Sequence, residues 1–129
     1  MPMNSAARRG KEIRPVAGRE TPIIDLVHLS RQTCGDGALE NELLRLFIVQ
    51  AQQYAAWLEE SSAPGDALNR ADLTHRLKGS ARAIGAFQLA EAAEVYEETL
   101  RAGARDTEGE ARRLSEALED ARLAATRLL

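Results

Sequence analysis

A chain of 129 residues is long enough for one packed domain and short for two, and its 44% hydrophobic but only 4% aromatic content favours helices packed through Ala and Leu over a Val- and Tyr-rich sheet. The net charge of -3 divides unevenly: residues 1–20 hold five basic and two acidic side chains, which leaves the rest at -6 and argues against a general nucleic-acid surface built on clustered Lys and Arg, the Arg-bearing leader being the one candidate for such binding. The single cysteine, Cys34, excludes an intrachain disulfide and a cysteine cluster for zinc, and the longest apolar run, Leu43 to Val49, is broken by Arg45 and far too short to cross a bilayer.

Residues 1–20 show no hydrophobic period and mix Pro, Gly, Ser and charge, so they read as a disordered basic leader; positive residues without an apolar stretch after them do not make a secretory signal. Residues 21–129 read as one helical domain of a cytoplasmic protein. A short helix of about ten residues starts at Thr21 or Asp25 and stops at Gly35. Asp36 caps a longer helix whose stripe of Leu39, Leu43, Leu46, Phe47, Tyr54, Trp57 and Leu58 is expected to be buried, ending near Ser61. After the SSAPGD turn, Asp66 caps a third helix striped by Leu73, Leu77, Ala81 and Ile84, with Gly85 marking its end or a close contact. A fourth carries Leu89, Ala92, Ala93, Tyr96 and Leu100 on one face. A fifth starts at Asp106 or Thr107 and is striped by Leu114, Leu118, Ala121, Ala125 and Leu128. Long helices with short connections favour antiparallel neighbours, hence an all-α, up-and-down antiparallel four-helix bundle with a short extra N-terminal helix.

The segment HRLKGSARAIGA, His75 to Ala86, concentrates the chemistry. With about 100° per residue and Leu73 at zero, Leu77, Ala81 and Ile84 centre the inward arc near roughly 40°, whereas His75 falls at roughly 200°, Gly79 at roughly 240°, Arg82 at roughly 180° and Lys78 at roughly 140°. All four of these residues are therefore expected to face outward. An exposed glycine inside a helix costs about 0.5–1 kcal/mol relative to Ala, which calls for a reason, and close approach by a partner onto the imidazole supplies one. Lys78 stands out because the chain has fifteen Arg and only two Lys: a compact ammonium one turn from an imidazole suits phosphoryl oxygens as a point charge.

His75-Arg76-Leu77-Lys78-Gly79-Ser80-Ala81, followed by Ile84-Gly85-Ala86 and Leu89, resembles the signature of histidine-containing phosphotransfer (HPt) domains of bacterial two-component phosphorelays, and the bundle pattern extends the likeness over residues 22–129. The resemblance implies that His75 is the phospho-acceptor and donor, using Nε2, that Lys78 stabilises phosphoryl oxygens and that Gly79 leaves room for the partner. It also implies that the Gln or Glu of the following helix, which falls on Glu97, bonds the other ring nitrogen, with Glu94 and Glu98 as alternatives. Arg76 and Arg82 flank the site as candidate partner contacts, or as ordinary solvated arginines. The partners implied are response-regulator receiver domains or a hybrid histidine kinase; no nucleic acid and no membrane are expected, and a monomer is. No metal site and no resident cofactor are expected either, since Mg²⁺ would belong to the receiver, and the lack of a Gly-rich nucleotide loop makes the chain a carrier without kinase activity. A rival reading keeps the bundle as a non-catalytic adaptor. His28, followed by Arg31 and Gln32 where the signature has Lys and Gly, reads as structural or partner-facing, and Cys34 as a small structural residue.

Overall fold

Five helices succeed one another in the computed structural model, which describes residues 22–60 and 66–129: α1, Leu26–Gln32; α2, Gly37–Glu60; α3, Ala67–Ile84; α4, Phe87–Arg101; and α5, Glu108–Leu128. The leader, Thr21 as a cap and the turn after α2 lie outside the described residues.

Local chemistry sets the helix ends. Asp25 is the N-cap of α1, its carboxylate accepting from the His28 amide at 3.1 Å. The Asp36 carboxylate likewise accepts from the Leu39 amide at 3.1 Å, opening α2. Asp66 occupies the N-cap position of α3 and Thr107 that of α5, where Asp106 accepts from the Glu108 amide at 3.2 Å. Gly85 closes α3 in the left-handed conformation (φ 84°), sending its own N–H back to the Arg82 carbonyl while the Ala86 N–H reaches that of Ala81. It also receives α1: the Asp25 amide donates to the Gly85 carbonyl at 2.9 Å, and a Cβ on Gly85 would lie 2.7 Å from the Asp25 carbonyl oxygen. Gly85 is thus both a helix end and a close contact.

Helices α2 to α5 form a closed antiparallel ring in which each packs on the next and α2 returns to α5; α1 lies against α3. The core is fully buried at Leu77, Leu89, Tyr96 and Leu114. Between them Ala71, Ala81, Ala92, Ala93, Ala121 and Ala125 let the helix backbones approach closely, and α3 and α4 have the most extensive mutual contact. A polar ladder crosses this core. The Thr74 hydroxyl donates to the Arg70 carbonyl at 2.7 Å, so the Tyr54 hydroxyl 2.5 Å away must donate to Thr74. Burial pushes the Tyr54 phenol well above its usual pKa and keeps that donor intact. The Arg70 guanidinium donates to the Tyr96 hydroxyl at 2.9 Å and lies 5.4 Å from the Trp57 ring centroid.

The buried face of α2 differs from the expected stripe. Leu44, Phe47, Ala51 and Tyr54 point inward, while Leu39 (43% exposed) and Leu46 (58%) face out, and Leu43, Trp57 and Leu58 are half-buried. The helix carries apolar residues on two faces, so the three-and-four spacing fits either, and only the position of α5 and α3 selects one. On α5, Leu128, expected in the buried stripe, is exposed, while Leu114, Leu118, Ala121 and Ala125 are buried as expected; Leu128 is the last residue of the helix.

Candidate functional site

His75 projects from the middle of α3, 61% of its side chain open to solvent. It sits outside because Leu77, on the opposite face, is buried in the core and Thr74 is buried against Tyr54 of α2. From α4 comes Glu97, which the same tight packing brings under the ring: Nδ1 lies 3.1 Å from Oε2 and 3.3 Å from Oε1. Glu97 is 7% exposed, the only buried carboxylate among the described residues. Burial opposes its charge, but hydrogen bonds from Lys78, Arg101 and His75 outweigh that and hold the carboxyl below the usual carboxylate pKa. An ionised carboxylate can only accept, so the ring nitrogen facing it carries the hydrogen. In the neutral imidazole this leaves the lone pair on Nε2, the nitrogen turned to solvent.

Lys78 does not stay outside as its place on the helical wheel suggests. Its side chain is only 14% exposed and its Nζ lies 3.0 Å from Glu97 Oε1. A wheel gives the direction of Cα–Cβ, whereas a four-carbon stem can carry the ammonium back to a buried carboxylate. Gly79 is exposed, one turn from His75, and a Cβ built on it meets nothing within 4 Å. No intramolecular contact therefore requires a glycine there.

Of the three acids on α4, Glu94 binds Arg82 at 2.8 Å in an exposed ion pair, and Glu98 is exposed. Arg76, the chain neighbour of His75, lines a groove between α2 and α3 together with Gln50, Gln53, Tyr54, Trp57 and Leu73. Two site residues escaped the sequence reading. Arg101 donates from Nε to Glu97 Oε2 and from its terminal nitrogen to Asp72 Oδ1, both at 3.0 Å, tying α4 back to α3. The one available signal was the four-residue spacing of Glu97 and Arg101, which places them on one helix face.

A family model for the Hpt domain matches residues 42–125, more than half the chain, and spans α2 to α5 with His75 near its centre. The chain belongs to the Hpt domain family. No curated protein and no solved structure matches it. Hpt domains are phosphotransfer carriers of phosphorelays, distinct from kinases, and they interact with receiver domains and kinases; the bundle and its outward imidazole agree with that general role. Among the described residues no group of three or more His, Cys, Asp or Glu could hold a metal ion, and no helix is long and apolar enough to cross a membrane. His28, the other histidine, packs edge-on against Phe87 with ring centroids 5.0 Å apart, a structural role at the α1–α4 contact.

Proposed function

We propose that this Hpt domain relays a phosphoryl group through His75 Nε2, accepting it from and returning it to receiver-domain aspartates in the cytoplasm. The observation that carries the reading is the His75–Glu97 pair, because it leaves an exposed imidazole with its lone pair on the outer nitrogen. In the transfer, the Nε2 lone pair attacks the phosphorus of the acyl phosphate, the P–O bond to the aspartate breaks and the carboxylate leaves with the bond pair. Nδ1 keeps its hydrogen throughout, so the ring becomes cationic, and the Glu97 carboxylate beneath it stabilises that charge. The reverse transfer needs no proton movement either.

Lys78 serves the phosphoryl oxygens and Gly79 admits the partner, as a glycine does where another backbone comes close. Arg76 and the α2–α3 groove meet the receiver domain: Gln50, Gln53 and Trp57 line that groove together with Arg76, the chain neighbour of His75, and Leu46, 58% exposed, precedes them at heptad spacing on α2. Arg82, paired with Glu94 of α4, is a further candidate contact for the receiver. The Mg²⁺ of the reaction belongs to the receiver, and the carrier acts as a monomer without kinase activity of its own.

Incubation with a phosphorylated receiver is expected to label the chain through an acid-labile, base-stable bond. His75→Gln should abolish the label and leave helical content unchanged, since the side chain is exposed; a label that persists contradicts the assignment.

A further inference from the structure

The ammonium assigned to the phosphoryl group is, in the unphosphorylated protein, engaged elsewhere. Lys78 sits 3.0 Å from Glu97 Oε1, while Arg101 holds the other oxygen of the same carboxylate at 3.0 Å. One buried negative charge therefore has two cations, one more than it needs. Arg101 is fixed from its far side by Asp72 Oδ1, also at 3.0 Å, so it bridges α4 to α3 immediately beside the imidazole. The Asp72 contact is exposed and contributes little by itself. The Glu97 contact differs, because a buried carboxylate stripped of all cations is strongly disfavoured.

We propose that Arg101 is a positioning residue that releases Lys78 for phosphotransfer, by supplying Glu97 with a permanent counter-charge. The inference rests on the phosphotransfer reading above and adds a charge exchange to it. As the Nε2–P bond forms and the donor's bond to phosphorus breaks, the ring becomes cationic above Glu97, and Lys78 moves from Oε1 to the phosphoryl oxygens. Arg101 keeps Oε2 in place under Nδ1 while this happens. Without Arg101, Glu97 must retain Lys78 until the ring charge is fully developed, and the transition state loses the ammonium.

The exchange has a second-site signature. A neutral amide at 97 does not hold Lys78, so Arg101 should matter only when residue 97 carries charge. Phosphoramidate serves as donor to the full chain, its P–N bond breaking with loss of ammonia, and uptake is followed by phosphate-affinity electrophoresis. Arg101→Gln is expected to slow uptake about tenfold, the scale of a hydrogen bond to a charged group, and Arg101→Lys to restore most of the rate. In a Glu97→Gln background, slower in itself, adding Arg101→Gln should change the rate less than about twofold. Equal losses in both backgrounds, or none in the native one, overturn the proposal. Exchange of the Lys78 ammonium protons, read by ¹⁵N-detected NMR without any donor, should slow in Arg101→Gln as the Glu97 pair tightens; unchanged exchange also overturns it. A native chain that takes up no phosphoryl group from phosphoramidate or from phosphorylated receivers overturns the phosphotransfer reading instead, whereas uptake that is normal but independent of Arg101 overturns only the role of Arg101.

Discussion

At the scale of single residues, the site is governed by one buried carboxylate. Glu97 lies at the meeting point of His75, Lys78 and Arg101, and its acidity sets how the cluster responds to pH. Its pKa is lowered in the folded protein from a reference value of 4.5, so its contribution to stability is complete above that value and disappears as pH falls through the lowered one. Urea denaturation of the native chain and of Glu97→Gln should therefore show a stability difference of about 1–3 kcal/mol near neutrality that shrinks below pH of about 4. A difference that stays constant in acid would show that the carboxylate charge is not its source. The neighbouring acids behave otherwise because they are exposed: Glu94 and Arg82 form a solvent-screened pair, whose removal should leave stability within about 0.5 kcal/mol.

At the scale of helices, two glycines of the same segment have opposite origins. Gly79 has open space where a Cβ would stand, so Gly79→Ala should raise stability by about 0.5–1 kcal/mol through helix propensity while slowing transfer from a receiver. Transfer at the native rate would remove partner access as the reason for that glycine. Gly85 combines a left-handed backbone with the Asp25 carbonyl pressed against it. Gly85→Ala should lower the unfolding free energy by about 2 kcal/mol or more and loosen α1, seen as faster amide exchange at Asp25, whose N–H bonds the Gly85 carbonyl. Helix α2 gives the third lesson at this scale, since its two apolar faces made the buried one unreadable until α3 and α5 were in place.

At the scale of the whole molecule, the bundle works as a rigid mount. α3 and α4 pack through small residues, and that closeness lets a carboxylate on one helix support an imidazole on the other. On α2, the exposed Leu46 offers a test of whether this helix takes part in docking. Leu46→Glu, at a position 58% exposed, should leave thermal stability nearly unchanged and leave uptake from phosphoramidate intact, but weaken transfer from a receiver domain by about tenfold or more in apparent affinity. Equal transfer from the receiver would place docking on another face. This pairing of donors separates recognition by a protein surface from the chemistry of the nucleophile.

Spacing and capping within single segments were enough to read the helical class, the order of the five helices among the described residues, the Asp25, Asp36 and Gly85 boundaries and the outward face of His75. The HRLKGSARAIGA motif also pointed to the family whose model matches residues 42–125. Tertiary structure decided what depends on two segments at once. It chose the inner face of α2, drew Lys78 back to Glu97 and brought Arg101 and Asp72 to the site from different helices. The physical reason is reach: a wheel fixes where a side chain leaves the backbone, while the charge at its far end goes to whatever buried counter-charge the packed neighbour presents.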